Sequence, residues 1–271
     1  MSAAGGTEGR AISQSLHGAR ALITGGGSGI GLAIARRFDA MDMSVTLVGR
    51  DRRRLDRALA ELAHPARHRT VVCDVGDALA VEAMFRELEA AQASPQVLDN
   101  NAGGATNATV AQTTTSAWDE TLRVNLTGVF HCTRAALPAL AAMPFGRIVN
   151  IASTAGLIGY PNVAAYCAAK HGVIGFTRAL ALEIARTAIT ANAICPGYTE
   201  TSIVDAAIDA IAEATGTSPD DARQRLVRRN PQRRLIEPDE VAAAVAWLCL
   251  PESRSINGQA ISLSGGEVMT G

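Results

Sequence analysis

Short β-rich runs alternate with helix-like segments along most of this 271-residue chain. The runs read ALIT, SVTLV, TVVC, QVLD, RIVNIAS, ITANAI and AISLSGG, and the segments between them have the length and apolar spacing of helices. Strands that alternate with helices form parallel sheets, because a parallel pair needs a crossover connection and that crossover is usually helical. We therefore predict an α/β protein with a doubly wound parallel sheet and helices on both faces.

One domain accounts for the whole pattern. No linker or internal repeat interrupts residues 19–265. Residues 1–15, rich in Gly, Ser and Ala, are expected to form a flexible tail, and residues 16–271 the domain. The polar, helical segment 202–238 is predicted to be an insertion between two elements of the sheet.

Composition excludes several classes of partner. A net charge of −1 with scattered arginines argues against nucleic acid, and no apolar run approaches 18 residues, which argues against a membrane. The N-terminus lacks the apolar core of a signal peptide, so we expect a cytoplasmic protein. Its five cysteines are far apart, without a Cys-x-x-Cys pair or a histidine at ligand spacing, so we expect a reducing compartment and no metal site.

The segment TGGGSGIG follows the first predicted strand and opens the first helix. Gly25, Gly29 and Gly31 suit a tight turn, and the missing Cβ atoms let a pyrophosphate approach the backbone N–H groups and the helix dipole. A dinucleotide site is the favoured interpretation. A methyltransferase loop is the alternative, but such loops usually have an acidic residue before the glycines, and here the strand ends in Ile23 and Thr24.

The second predicted strand favours NADP(H). An acidic residue at its end would bind the ribose hydroxyls, whereas arginine suits a 2′-phosphate. This strand is followed by Gly49 and Arg50, and Arg52, Arg53 and Arg54 add positive charge. Two alternatives remain: the arginines form a solvated helix start, or Asp51 binds the ribose of NAD(H).

Lys170 is the only lysine in the chain and lies four residues after Tyr166. On a helix these two side chains share a face. A nearby ammonium favours the phenolate and is expected to lower the pKa of the tyrosine toward neutrality. The plain alternative is that Tyr166 is an ordinary packed aromatic.

Six ordered motifs give the chain its resemblance to a known family. TGGGSGIG, NNAG, RVNLTGVF, NIAS, YCAAK and PGYTET follow the order and approximate spacing found in the short-chain dehydrogenase/reductase family. The resemblance covers about residues 16–266 and implies a Rossmann-type fold. Within the family the chain looks most like bacterial 3-oxoacyl reductases and aromatic polyketide ketoreductases.

The resemblance implies four catalytic residues. Tyr166 would protonate the carbonyl oxygen, with Lys170 lowering its pKa and binding the nicotinamide ribose. Ser153 would polarise the same carbonyl, although it could also simply cap a turn. Asn125 would hold a water that relays protons to Lys170, or would only satisfy backbone groups inside a helix.

Cofactor contacts are implied in the same way. Asp74 would meet the adenine amino group, Asn101 to Gly103 the adenosine, and Thr201 the carboxamide. The full expected set is Thr24, Gly25, Ser28, Gly29, Ile30, Gly31, Arg50, Asp74, Val75, Asn101, Ala102, Gly103, Tyr166, Lys170, Pro196, Gly197 and Thr201.

The function predicted from these features is NADPH-dependent reduction of a ketone on a 3-oxoacyl thioester or polyketide. Loops 104–111 and 154–165 and the insertion would bind the substrate, and arginines of the insertion could meet a coenzyme A or carrier-protein phosphate or form a solvated face. A dehydrogenase of free secondary alcohols such as a steroid, sugar or aryl alcohol is the enzymatic alternative, and a non-catalytic dinucleotide sensor is a third class. Ala-rich helices suggest a homotetramer or homodimer, although they would also suit a monomer's core.

One residue departs from the family pattern. Asp99 ends the strand QVLD, where relatives usually have an apolar residue. A carboxyl group in that place must find hydrogen-bond donors or shift its pKa upward.

Overall fold

A seven-stranded parallel sheet forms the centre of the computed structural model, which describes residues 16–269. The tail predicted for residues 1–15 lies outside the described residues. The strands lie in the order β3-β2-β1-β4-β5-β6-β7. The chain therefore builds the sheet outward from β1 to β3 on one side, crosses back, and builds it outward from β4 to β7 on the other. Their bounds are β1 (Arg20–Thr24), β2 (Ser44–Gly49), β3 (Arg69–Val72), β4 (Val97–Asn100), β5 (Gly146–Ile151), β6 (Ile189–Pro196) and β7 (Ala260–Leu263).

Helices cover both faces of the sheet, as predicted. One face packs against α1, α2 and α9 around the buried Phe38 and Val245, and the other against α3, α5 and α6 around Met84 and Leu140. The strands are buried on both sides, which explains their nearly continuous apolar sequences. The helices are α1 (Gly29–Asp39), α2 (Arg52–Ala60), α3 (Ala78–Ala90), α4 (Thr115–Leu122), α5 (Gly128–Ala141), α6 (Ala164–Glu183), α7 (Ser202–Thr215), α8 (Pro219–Val227) and α9 (Pro238–Cys249).

The predicted long helix after Ala117 is interrupted. It begins at Thr115, and a π-helical turn over Arg123–Thr127 separates α4 from α5. The side-chain amide of Asn125 donates a 2.9 Å hydrogen bond to the carbonyl of Thr121, one turn earlier, so this acceptor remains satisfied in the widened turn.

The insertion 202–238 consists of two packed helices. Gly216 ends α7 in the left-handed region (φ 62°), and the Ser218 hydroxyl accepts a 3.1 Å hydrogen bond from the amide of Asp221 to cap α8. A separate apolar cluster that includes Val204, Ile208 and Leu226 holds the two helices together. Within residues 16–269 no helix is long and apolar enough to cross a membrane.

Asp99 is fully buried in β4, beside its strand neighbours Ile23 and Val149. Neither carboxyl oxygen has a hydrogen-bond partner among residues 16–269, and burial raises the pKa of Asp99 well above its ordinary value. A folded-state pKa above the unfolded one means that the folded protein binds the proton more tightly. The carboxyl group therefore costs stability, and the cost grows as the pH rises above about 4, the ordinary pKa of aspartate.

We expect Asp99→Val to raise the melting temperature and to add about 1–3 kcal/mol to the free energy of unfolding at pH 7. The two side chains are similar in size, so the change removes an unpaired polar group without opening a cavity. The gain should shrink as the pH falls toward about 4. Thermal unfolding at several pH values tests this, with the exposed-site variant Asp209→Asn as the control; equal or lower stability of Asp99→Val at pH 7 would contradict it.

Candidate active site

A cleft of about 1090 Å³ opens at the carboxyl ends of the strands. Residues that follow β1 to β6 line it, which is the position where open α/β sheets bind ligands. All three predicted substrate segments contribute to its wall. The loop 104–111 contributes Gly104, Ala105 and Asn107, and the loop 154–165 contributes Thr154, Ala155 and Tyr160 to Val163. The insertion contributes Ser202 to Val204, Ala206, Ala207, Ala210, Ile211, Leu226 and Arg229.

The glycine loop forms one end of the cleft. Gly25 and Gly29 have φ values of 66° and 52°, a region that side chains rarely adopt. A Cβ on Gly31 would lie 2.5 Å from the carbonyl oxygen of Gly25, so this position tolerates glycine alone. The loop thereby brings backbone and the start of α1 to the surface of the cleft, which is the cradle that a pyrophosphate requires.

Thr24 and Asn101 brace the glycine loop against β4. The side-chain amide of Asn101 donates to the carbonyls of Thr24 and Gly25 at 3.0 and 3.2 Å. In return the Thr24 hydroxyl accepts hydrogen bonds from the backbone amides of Asn101 and Ala102, both at 3.0 Å. Six polar groups of two separate loops are thus paired with each other.

Arg50 and Asp51 have different surroundings at the end of β2. The Arg50 side chain is 67% exposed, lines the cleft, and has only a 3.9 Å ion-pair contact, with Glu120. The Asp51 carboxylate instead caps α2 by accepting a 3.1 Å hydrogen bond from the amide of Arg54, and this bond contributes most to lowering its pKa. Arg50 is therefore the residue better placed to receive an anionic group.

Asp74 also lines the cleft, close to Arg123. Its carboxylate accepts hydrogen bonds from the amide of Gly76 at 2.9 Å and from Arg123 at 3.0 Å. Burial opposes ionisation, but these bonds hold the pKa of Asp74 below its ordinary value. It is therefore a fixed, charged acceptor at neutral pH.

Ser153, Tyr166 and Lys170 meet where β5 ends and α6 begins. Tyr166 and Lys170 lie on one face of α6, with the lysine Nζ 5.5 Å from the centre of the tyrosine ring. Nζ is buried and donates a 2.7 Å hydrogen bond to the carbonyl of Ile151, the last residue of β5. Ser153 follows two residues later, and its hydroxyl caps a short turn by accepting from the amide of Ala155 at 3.1 Å.

The predicted acidification of Tyr166 is not found. Burial raises the pKa of Tyr166 to about 12, and hydrogen bonding with Ser153 opposes the rise only in part. The lysine Nζ lies over the face of the ring and donates its hydrogen bond to the carbonyl of Ile151. Burial also lowers the pKa of Lys170 to about 8.

Asn125 lies in the π-helical turn and outside the wall of the cleft. Besides the bond to Thr121, its amide donates to the carbonyl of Gly104 at 3.0 Å, and its oxygen accepts from the amide of Gly104 at 3.1 Å. A Cβ on Gly103 would lie 2.5 Å from this oxygen and 3.6 Å from the lysine Nζ. Asn125 thus fixes the loop after β4 beside Lys170.

Most of the expected site residues line one cleft. Thr24, Gly31 and Asn125 do not, because each lies behind the wall and supports it. The expected residues that line the cleft are Gly25, Ser28, Gly29, Ile30, Arg50, Asp74, Val75, Asn101, Ala102, Gly103, Ser153, Tyr166, Lys170, Pro196, Gly197 and Thr201.

Sequence reasoning missed four residues of the site. Tyr160 and Tyr198 line the cleft, Glu267 lies behind Tyr160, and Arg123 holds Asp74. Tyr160 falls in a loop that the sequence assigned to substrate, which was the one available signal. Nothing in the sequence connects Glu267 with a residue 107 positions earlier.

Known proteins share this architecture. The profile of a family described as enoyl-(acyl carrier protein) reductase matches residues 25–267. The chain is 37% identical to D-beta-hydroxybutyrate dehydrogenase of Cupriavidus necator over an alignment of 257 residues, and this alignment covers 93% of this chain and 99% of that protein. It is 39% identical over 251 residues to a putative ketoacyl reductase of Streptomyces coelicolor, with 91% and 95% covered.

A solved structure is similar over nearly the full length. The crystal structure of a variant of actinorhodin polyketide ketoreductase with NADPH superposes with a TM-score of 0.88 at 38% identity, covering 92% of this chain and 97% of that one.

We expect Gly31→Ala to abolish dinucleotide binding, because the added methyl group would push against the carbonyl of Gly25 and distort the loop. A fluorescence titration with NADPH measures the effect, which should exceed about 100-fold since backbone and helix contacts are lost together. Gly159→Ala is the control, because a Cβ there meets no atom within 4 Å. Unchanged affinity in a folded Gly31→Ala variant would contradict the assignment of the loop.

Proposed function

The chain belongs to the short-chain dehydrogenase/reductase family and is an NAD(P)-dependent oxidoreductase that reduces ketones, and from this premise we propose that its substrate is a 3-oxoacyl thioester or a polyketide ketone. The observation that carries the proposal is the meeting of Ser153, Tyr166 and Lys170 in one cleft with the glycine loop. Both halves of a hydride-transfer site are thus present, a nucleotide cradle and a proton donor.

The proposed roles follow from the state of each group. Tyr166, with a pKa near 12, is fully protonated at neutral pH and is therefore suited to give its proton to a carbonyl oxygen. The Ser153 hydroxyl donates a hydrogen bond to the same oxygen and stabilises the negative charge that develops there. Lys170, charged at pH 7, stabilises the phenolate that remains after proton transfer.

A bound nicotinamide cofactor would supply the hydride that this chemistry needs. The residues present fit such a group, because Gly25, Gly29 and Gly31 leave the space that side chains would fill. We propose NADPH, held at its 2′-phosphate by Arg50. Support comes from the exposed guanidinium of Arg50 and from the use of Asp51 as a helix cap.

The substrate half of the cleft favours an acyl chain. After Ser202, the face of α7 that lines it is apolar, with room beside the small alanines: Ile203, Val204, Ala206, Ala207, Ala210 and Ile211. The names of the relatives favour a ketoacyl substrate over the steroid, sugar or aryl alcohols considered as the alternative. A non-catalytic sensor has no use for Tyr166 beside the buried Lys170.

Arginines of the insertion give little support to a phosphate site. Arg223 pairs with Glu200, Arg229 with Glu267, and Arg234 with Glu240. The other arginines of the insertion, Arg225, Arg228 and Arg233, do not line the cleft. Linkage of the substrate to coenzyme A or a carrier protein therefore stands on the relatives alone.

We further propose a homotetramer or homodimer. Trp118 on α4 and Phe130 on α5 are large apolar side chains left exposed in the single chain, and a subunit contact would cover them. The cytoplasmic location expected from the sequence stays a prediction.

A substrate and cofactor panel tests the function. Acetoacetyl thioesters and bicyclic ketones should be reduced with NADPH faster than steroid or sugar ketones, as followed by the absorbance of the reduced nicotinamide. Tyr166→Phe should lower kcat by about 100-fold or more while the variant still binds NADPH, because only the proton donor is removed. A Tyr166→Phe variant with unchanged activity would contradict the role of Tyr166 as the proton donor and would favour the alternative of a non-catalytic dinucleotide sensor.

Arg50→Ala should weaken NADPH binding by about 10-fold to 100-fold and leave NADH binding nearly unchanged, because only NADPH has the phosphate that Arg50 would bind. Arg52→Ala is the matched control, since its guanidinium binds Thr70 at 2.8 Å instead. Fluorescence titrations measure both cofactors. An equal loss for NADPH and NADH would refute the role of Arg50.

Reduction should depend on pH with a break near 8. The ammonium of Lys170 is present below its pKa of about 8 and is lost above it, so kcat/KM should be flat at lower pH and should fall up to about tenfold per pH unit above the break. The neighbouring Tyr166 and Cys195 have pKa values of about 12 and about 11, so they do not titrate in this range. A rate that stays constant up to about pH 9.5, with the fold intact by circular dichroism, would contradict this assignment.

A further inference from the structure

Glu267 is a buried carboxylate beside the substrate half of the cleft. Its side chain is only 6% exposed, and one carboxylate oxygen accepts hydrogen bonds from Arg229 at 2.8 Å and from the Tyr160 hydroxyl at 2.9 Å. The Arg229 guanidinium carbon also lies 4.4 Å from the centre of the Tyr160 ring. These three residues come from the C-terminal segment, the insertion and the loop after β5.

This cluster lies near the reacting groups. The Tyr160 oxygen also accepts a 2.9 Å hydrogen bond from the hydroxyl of Thr154, because its own proton is donated to Glu267, and Thr154 is next to Ser153. On the other side, a Cβ on Gly197 would lie 3.6 Å from the second oxygen of Glu267. Arg229 and Tyr160 both line the cleft, so Glu267 affects the charge of the wall against which the substrate would extend.

No unpaired cation is available to a substrate at this end among the cleft-lining residues that the structure describes. Arg50 and Arg54 belong to the part of the cleft formed by the end of β2 and the start of α2. Lys170 is bound to the carbonyl of Ile151. Arg229 is neutralised by Glu267. A substrate carboxylate would therefore lose its hydration here without gaining a charged partner.

We propose that Glu267 is a specificity residue that excludes free 3-oxo acids and restricts the site to ketones whose neighbouring acyl group is a neutral ester or thioester. This inference rests on the proposed function and narrows its substrate class. The expected substrate of this chain then differs from that of its hydroxybutyrate dehydrogenase relative, whose name denotes a free hydroxy acid. Arg229 is the cation that could bind the carboxylate of a substrate, but the carboxylate of Glu267 already occupies the place beside its guanidinium.

Acetoacetate and its ethyl ester test the wild-type protein directly. The two compounds share the reacting ketone and differ in the charge of the acyl end. We expect kcat/KM with NADPH to favour the ester by at least about tenfold, since a charge without a partner is disfavoured by that much or more. Equal or better reduction of acetoacetate would overturn the inference and leave ketone reduction itself standing.

Glu267→Gln then identifies the residue responsible. The amide keeps an oxygen that accepts from Tyr160 but removes the negative charge, which frees Arg229 to bind a carboxylate. We expect kcat/KM for acetoacetate to rise by about 10-fold to 100-fold while that for the ester stays within about threefold, mostly through a lower KM for the acid.

Glu240→Gln is the matched control. It removes a carboxylate from an ion pair with another arginine of the insertion, Arg234, in a more exposed place outside the lining of this cleft. Glutamine retains the capping function at the start of α9. The ratio of ester to acid should equal that of the wild type.

The outcomes are distinguishable. An unchanged ratio in a folded Glu267→Gln variant, or a parallel loss with both substrates, would assign Glu267 a purely structural role and refute the specificity proposal. If the variant does not fold, the wild-type ratio still decides whether free acids are excluded. Failure of the wild type to reduce either compound or any thioester would instead count against the proposed function.

Discussion

The buried ammonium of Lys170 is the group on which the geometry of the site depends. Burying a charge is unfavourable unless it is paired or hydrogen-bonded, and Nζ satisfies this requirement with the carbonyl that ends β5. The turn after β5 also packs tightly against α6, because a Cβ on Gly156 would lie 2.7 Å from the backbone oxygen of Lys170. The helix α6, the strand β5 and the turn that presents Ser153 are therefore fixed together, and Tyr166 is positioned by all three.

Charge is distributed unevenly along the cleft. At the β2 end Arg50 is exposed and weakly paired, whereas at the substrate end Arg229 is neutralised by a buried carboxylate. One end can therefore receive an anion and the other is suited to a neutral group. This difference fits an enzyme that must bind a phosphorylated cofactor and an uncharged acyl chain in the same groove without exchanging their positions.

The elements of the sheet were predictable from sequence because buried parallel strands are short apolar runs that alternate with helix-like segments. The π-helical turn Arg123–Thr127 was not, since no Gly or Pro lies within it and the hydrogen bond from Asn125 to Thr121 that accompanies it is visible only in the structure. The pairing of Tyr166 with Lys170 followed from their spacing, but their pKa values depend mainly on burial, which spacing does not reveal. Glu267 was invisible because its partners are remote in sequence.

The brace between Thr24 and Asn101 has a consequence for how the protein acquires its ligand. The glycine loop belongs to the first strand and helix, yet its conformation relies on hydrogen bonds to a residue 77 positions later. During synthesis, an emerging chain that ends before β4 has the complete glycine motif without the partner that shapes it. We therefore expect affinity for nucleotide to develop only after about the first third of the domain has assembled, so that free nucleotide does not stabilise shorter, partly folded chains.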